Sequence, residues 1–416
     1  MIKQLIIIGC GVIFSPFVFF HHLIIGRKSN LWLFGSWRGE KFSDNSKALY
    51  EYVLKNEKDI HPIWITKNKK VYESLKTKHY PVMMNSSLKA TYYMLRAGFC
   101  CGSLSATTDV FGSKAWLGYG IKAFYLTHGM PSKHSGYDEP KMKTKKELIA
   151  RKQPLWLRIY FGMFPQKNPR KLYTISTSDF FVPFLESCTL TPRQNIFVTG
   201  TPRLDILFSQ EQDPYIADIR RKYPTAKLII YMPTFRDSYD GGKPFRPFEQ
   251  FGFDQVKFIE ILEKYDYVFL NKGHFWDGLL TSAEYSDRFI NVKDDPMLDI
   301  YSIVKDIDIL MTDYSSIYFD FLPLRKPVIL TPFDFETFIR DKRGYYFDYM
   351  KELPSIKAQN WNEVCDILVQ KKYYPLTEAQ TQRFHKNSDA YSSARLTLQI
   401  KKILNIQPFG NDDIHS

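Results

Sequence analysis

Several signatures that would assign a chain quickly are missing from this one. Cysteine is sparse: Cys10, Cys100, Cys101, Cys188 and Cys365 make an odd number, with neither disulfide nor zinc spacing. Reduced, structural thiols in a cytosolic environment are the plain reading. No Gly-x4-Gly-Lys-Ser/Thr loop is present to cradle a nucleotide triphosphate. The acid pairs Asp294–Asp295 and Asp412–Asp413 stand without supporting ligands, so solvated turns are expected there and no metal. There is no zinc-finger spacing and no RNP-type aromatic motif, which argues against nucleic acid. Internal repeats and long low-complexity linkers are absent too. Acidic residues are also short in supply: 44 Asp and Glu against 57 Lys and Arg leave a formal net charge of +13. That excess points to an anionic partner, either lipid or a phosphorylated substrate.

What is present reads as a globular protein with buried cores: 44% hydrophobic and 24% charged residues over 416 positions. The length suits two domains of roughly 180 residues each. Aromatics reach 16%, enough for core packing and for a membrane interface. Residues Leu5–Ile25 are almost wholly apolar, near the ~20 residues a membrane helix needs. Lys3 precedes the stretch, and Arg27 and Lys28 follow it. Gly9, Gly11, Pro16 and the His21–His22 pair interrupt it. It reads as a membrane anchor or interfacial helix; a cleaved signal would want a small-x-small site that does not follow. The plainer alternative makes Leu5–Cys10 a buried strand.

From Asn30 onward short apolar runs alternate with helical segments. Strands are expected at Leu31–Phe34, Ile60–Thr66, Pro81–Met84, Phe99–Gly102 and Ala123–Thr127, with helices at Asn45–Leu54 and Lys69–Lys76. A second alternation begins after Gly200. Its strands are Leu228–Met232, Tyr267–Lys272, Ile307–Thr312 and Pro327–Thr331; its helices are Val256–Lys264, Met297–Val304 and Ser316–Phe321. This βα pattern predicts an α/β chain of two halves, each a parallel sheet covered by helices, with a cleft between them. The expected division is an apolar N-terminal segment 1–28, a first domain 29–203, a second domain 204–385, and a C-terminal helix with tail 386–416. Ligands of such sheets bind outside the carboxyl ends of the strands. Between them, Lys141–Lys171 holds ten basic residues and one acid, Glu147, around Leu155, Trp156, Leu157, Ile159, Tyr160, Phe161, Met163 and Phe164. An anionic bilayer attracts such a patch, although a core helix with a solvated basic face would read alike.

Four strand exits carry chemistry. His128, in Thr127-His128-Gly129-Met130-Pro131, sits where a general base belongs, and Gly-x-Pro favours a sharp turn beneath it. Lys133, Gly136 and Asp138 extend that cluster. In Thr312-Asp313-Tyr314-Ser315-Ser316 an apolar strand gives way to hydroxyls at a helix N-terminus, an anion site or simply a cap. Asp320, one turn on, is a candidate for ribose hydroxyls. Asn271-Lys272-Gly273-His274 and Pro233-Thr234-Phe235-Arg236 add cations, and Arg236 suits bidentate phosphate binding or a nearby acid.

At these segments the sequence resembles the CDP-glycerol glycerophosphotransferase family, the teichoic acid primases and polymerases, from about Leu33 to Arg395. The match includes Phe34-Gly35-Ser36, Asp44-Asn45-Ser46-Lys47-Ala48-Leu49-Tyr50, His128-Gly129-x-Pro131-x-Lys133 and Gly200-Thr201-Pro202-Arg203-Leu204-Asp205. It continues through Pro233-Thr234-Phe235-Arg236, Thr312-Asp313-Tyr314-Ser315-Ser316, Phe319-Asp320-Phe321, Lys326-Pro327 and Arg343-Gly344. The resemblance implies a GT-B-like fold of two Rossmann-type domains, and transfer of glycerol phosphate from CDP-glycerol to a lipid-linked acceptor with loss of CMP. It implies catalytic roles for His128 and His274. Donor contacts would come from Thr234, Arg236, Lys272, His274, Thr312, Asp313, Ser315, Ser316 and Asp320. Gly129, Lys133 and Asp138 would face the acceptor, and a final helix near Ala390–Leu404 would brace the first domain. CDP-glycerol would be a substrate, with no cofactor or metal, at the cytoplasmic face of the membrane. Gly129-Met130-Pro131-Ser132-Lys133 departs from the family's usual glycine-threonine-proline-leucine-lysine, on the acceptor side. The chain also lacks the long N-terminal extension of the polymerases, which favours a primase or capsule-type enzyme. Rival readings are a CDP-ribitol phosphotransferase, a GT-B glycosyltransferase, and a non-catalytic polymer-binding protein at the membrane surface.

Overall fold

The computed structural model describes residues 2–234, 245–273, 286–293, 295–341 and 344–407. Arg236 and His274 lie outside the described residues. Two wholly parallel sheets organise the rest. The first runs β3-β2-β1-β4-β5-β6-β7, with β1 Lys28–Phe34, β2 His61–Thr66, β3 Val82–Met84, β4 Ala97–Gly102, β5 Lys122–Tyr125, β6 Tyr173–Ile175 and β7 Ile196–Phe197. The second runs β10-β9-β8-β11-β12-β13, with β8 Lys227–Tyr231, β9 Tyr267–Asn271, β10 Phe289–Asn291, β11 Ile309–Thr312, β12 Val328–Leu330 and β13 Ile356–Lys357. Each order reverses beside its first strand, between β1 and β4 and between β8 and β11. A crevice opens at such a reversal because the connecting helices leave to opposite faces.

The strand sequences explain why both faces are covered. In β1, Trp32 and Phe34 enter one core with Leu49 and Tyr50, while Leu31 and Leu33 enter another with Met94 and Val110. In β8, Leu228 and Ile230 face one layer and Ile229 and Tyr231 the other. Side chains alternate along a strand, so continuous apolar runs are what a sheet buried on both faces requires. The helix α2, Asp44–Asn56, lies on the first sheet. Near the C-terminus the helix Ser392–Ile403 returns to the same layer, where Leu396 and Ile400 are fully buried. Burying each of these side chains contributes on the order of 2 kcal/mol. Asp205 anchors the start of that helix through the backbone N–H groups of Ser392 and Ser393, both at 2.8 Å. The expected boundary at 203/204 falls inside one continuous 3-10 stretch, Pro202–Phe208.

The N-terminal stretch corrects one expectation. Ile2–Ile25 is a helix, α1, and the strand alternative at Leu5–Cys10 is discarded. Among the described residues no helix is long and apolar enough to cross a membrane. One stripe of α1 is used on protein instead. Phe14 stacks on Trp116 at 5.5 Å, Val18 is buried, and His22 meets Tyr119 at 5.7 Å, a spacing of four that lies on one helix face. Arg27, just beyond α1, donates to the carbonyls of Met94, Ala97, Leu117 and Tyr119, which ties the helix end down.

Candidate active site

The first functional segment leaves β5 and turns at Leu126-Thr127-His128. Thr127 has a φ of 47°, an unfavourable region for a β-branched residue. Holding it costs about 1–3 kcal/mol. Neighbours offset that. The Asn45 amide nitrogen donates to the carbonyls of Leu126 and Thr127, both at 2.8 Å, and the Thr127 hydroxyl donates to the Gly129 carbonyl at 2.7 Å. The strained turn sends the His128 side chain out to solvent at the crevice. Protein still crowds the ring, with Trp37 6.2 Å away between centroids. This loss of hydration lowers the His128 pKa below its ordinary value, with Arg203 and Lys133 adding to the effect and Asp44 and Asp320 opposing it. The imidazole is therefore neutral at neutral pH and able to accept a proton.

Gly129 brings the two sheet units into contact. A Cβ there would sit 2.1 Å from Ser316 Oγ and 2.6 Å from Ser316 Cβ. Ser316 opens the short helix Ile317–Phe321 after β11, so the residue after the imidazole abuts the hydroxyl segment of the second sheet. The next residues continue across: the Lys133 ammonium reaches the Thr234 hydroxyl at 3.4 Å, and backbone hydrogen bonds join His134 to Gly344 and Tyr346 to Ser132. Lys272 leaves β9 beside β8, its N–H donating to the Tyr231 carbonyl at 2.9 Å. Thus the structure gathers His128, Gly129, Lys133, Thr234 and Ser316 around one crevice, with Ser315 preceding Ser316 in the chain.

Other expected site residues are engaged elsewhere. The Thr312 hydroxyl is fully buried and donates to the Met232 carbonyl at 2.7 Å. Asp313 accepts from the backbone of Thr234 at 2.7 Å and from that of Tyr314, bracing the ends of β8 and β11. Asp320 is 1% exposed and paired with Arg203 at 2.7 Å, so a buried ion pair replaces the expected reach to a ribose. Asp138 accepts from Lys146, Ser187 and Tyr346. Burial works against its charge, but these bonds outweigh it and hold the carboxyl below the usual range.

The centre of the junction is a group to which sequence reasoning gave no role. Arg203 is 3% exposed and donates from Nη1 to Asp44 at 2.7 Å and to the His128 carbonyl at 2.8 Å. From Nη2 it donates to Asp320 at 2.7 Å. Its Cζ lies 4.8 Å from the centroid of the Tyr301 ring, and the Tyr301 hydroxyl donates to Asp320 at 2.8 Å. Such buried pairs add little net stability, but breaking one strands a charge at a cost of about 3–5 kcal/mol. The segments Asp44-Asn45 and Arg203 are visible in sequence only as parts of a resembling motif.

A cavity of about 550 Å³ adjoins His128. Ser132, Lys133 and Ser316 contribute polar groups to its lining, and Met142, Leu172 and Leu185 contribute apolar ones. A group bound here would lie beside both His128 and Ser316. Among the described residues no three His, Cys, Asp or Glu side chains are grouped to hold a metal.

Residues 17–402 match the family described as CDP-Glycerol:Poly(glycerophosphate) glycerophosphotransferase. The chain belongs to that family. The teichoic acid glycerol-phosphate transferase of Staphylococcus aureus is 31% identical over 390 residues, covering 90% of this chain and 93% of that one. The teichoic acid poly(glycerol phosphate) polymerase of Bacillus spizizenii is 24% identical over 370 residues, covering 85% and 87%. A solved structure of a variant of the wall teichoic acid polymerase TagF gives a TM-score of 0.71 at 22% identity, covering 99% of this chain and 100% of that one. That likeness establishes a common α/β fold of parallel sheets. In this glycerophosphotransferase, then, the His128-Gly129 turn meets the hydroxyl segment where the two sheets adjoin.

Proposed function

We propose that the chain transfers glycerol phosphate from CDP-glycerol to a hydroxyl of a lipid-linked saccharide or polymer, with release of CMP, in teichoic acid synthesis. Family membership supports the donor. The observation that carries the mechanism is the contact of the His128 turn with Ser316. The acceptor hydroxyl attacks the β-phosphorus, the one bearing glycerol. A new O–P bond forms, the P–O–P anhydride bond breaks, and CMP leaves with the bridging oxygen. His128 takes the hydroxyl proton. Ser315, Ser316, Thr234 and Lys272 hold the donor phosphates, with Arg236 and His274 assigned to the same task by the resemblance. Positioning and charge stabilisation do most of the work in such a transfer. The acceptor end occupies the cavity beside Lys133.

The protein works at the membrane surface on the cytoplasmic side, as a peripheral protein. Two neighbouring helices support this: α1 exposes Phe17, Phe20, Leu23 and Ile24, and the helix Leu155–Met163 exposes Leu155, Trp156 and Ile159. The basic residues of 141–171 flank the second. Apolar faces bordered by cations are what an anionic bilayer takes up. The deciding experiment is a donor screen with membranes present and absent. CMP release from CDP-glycerol, and not from CDP-ribitol, nor UMP or UDP from nucleotide sugars, supports the reading. Nucleotide binding without turnover on any donor refutes it.

A further inference from the structure

We propose, resting on the reading above, that Arg203 is a positioning residue that holds the His128 loop at a fixed distance from the donor-side helix. The geometry is a clamp on three successive carbonyls. Asn45 takes those of Leu126 and Thr127 and also accepts the backbone N–H of Arg203 at 3.0 Å. The Arg203 guanidinium takes the third, that of His128, at 2.8 Å. Its other terminal nitrogen holds Asp320, one helical turn beyond Ser316, at 2.7 Å. One rigid planar group is thus bonded both to the residue that accepts the proton and to the helix that begins with the donor hydroxyls. Gly129 against Ser316 leaves no slack between the two. An ammonium group could not replace this fork, because a single nitrogen cannot reach Asp44, the His128 carbonyl and Asp320 at once.

The charged groups around His128 are Asp44 on α2, Lys133 beyond its own turn, Arg203 on the 202–208 stretch and Asp320 on the Ile317–Phe321 helix. They give the test a second readout. Initial rates of CMP release from CDP-glycerol would be measured on the full chain with membrane acceptor, as a function of pH, for wild type, His128→Ala, Arg203→Lys and Asp320→Asn. Arg203→Lys is expected to lower kcat about 10–100-fold, with KM for CDP-glycerol within about threefold and the acid limb in place. Asp320→Asn keeps the shape, loses the ionic link and removes a carboxylate facing the ring. Its kcat should fall as well, and its acid limb should move to lower pH. A purely structural role would lower the unfolding temperature and the active fraction while leaving kcat per active molecule and the acid limb unchanged. That result overturns the proposal. The two levels separate cleanly: an active His128→Ala enzyme sinks the base assignment itself, whereas an inactive one beside a normal Arg203→Lys sinks only the positioning role.

Discussion

Replacing Gly129 by alanine should injure catalysis far more than folding. The added Cβ would lie 2.1 Å from Ser316 Oγ, while ordinary van der Waals contact begins at 3.4 Å, so the two segments must part by about 1.3 Å. Rotating the serine hydroxyl away does not relieve the clash, because Ser316 Cβ would still be only 2.6 Å distant. Gly129 is not among the glycines with positive φ, so alanine brings no backbone strain and the effect is the contact alone. Overpacking of this size costs about 1–3 kcal/mol of stability. A displacement of about 1 Å between reacting groups can cost about 100-fold in rate. Initial rates of CMP release and thermal unfolding, measured on the same preparation, should therefore show a large fall in kcat with a modest drop in melting temperature. The double variant Gly129→Ala/Ser316→Gly removes both offending atoms. It should recover part of the lost rate, although Ser316→Gly alone is expected to be slower than wild type. Turnover near wild type for Gly129→Ala, or no recovery in the double variant, would refute the claim that this contact sets the reacting distance.

Three further outcomes are expected. His128→Ala should lose about 10²–10⁴-fold in kcat, and the wild-type rate should rise with pH along an acid limb below 6.5, because the working form is the neutral imidazole and its pKa is lowered; a limb above that value would contradict the assignment. Asn45→Ala strips the Leu126 and Thr127 carbonyls of their donor, which should cost about 1–3 kcal/mol in denaturant unfolding and slow CMP release as the Thr127 turn relaxes. Trp156→Glu, on an exposed position of the Leu155–Met163 helix, should weaken co-sedimentation with anionic vesicles while leaving the unfolding free energy unchanged within about 0.5 kcal/mol; undiminished vesicle binding would remove that helix from the membrane surface.

Much of the architecture is readable in the chain because a two-faced parallel sheet demands uninterrupted apolar runs. Leu31–Phe34, Ile60–Thr66, Leu228–Met232 and Tyr267–Lys272 stand out for that reason, and each overlaps a strand. The strands left unread are short: β6, β7, β10 and β13 have two or three residues each. Segments so brief carry no periodicity, and pairing with a longer neighbour is what makes them strands. The helix expected from Met297 begins only at Ile300, because Asp299 caps it through the Tyr301 N–H at 3.2 Å. α1 is legible only in part. Its composition suits a bilayer, but its partners, Trp116 and Tyr119, lie about a hundred positions away and are invisible to hydropathy.

By itself the sequence determined the α/β class, the two alternations, the family, and the strand exits at which His128, Thr234, Lys272 and Ser315–Ser316 stand. Those follow from local pattern and residue chemistry. Only the tertiary structure decided which of these residues face the crevice and which are bonded within the fold. Thr312, Asp313 and Asp320 carry the same functional groups as their neighbours, yet each holds a hydrogen bond inside the protein. The junction of Asn45, Arg203 and Asp320 was likewise a tertiary outcome, since its members lie 158 and 117 positions apart. Hydrogen-bonding capacity is a property of the side chain, but whether a substrate or the fold uses it depends on what folding brings within 3 Å.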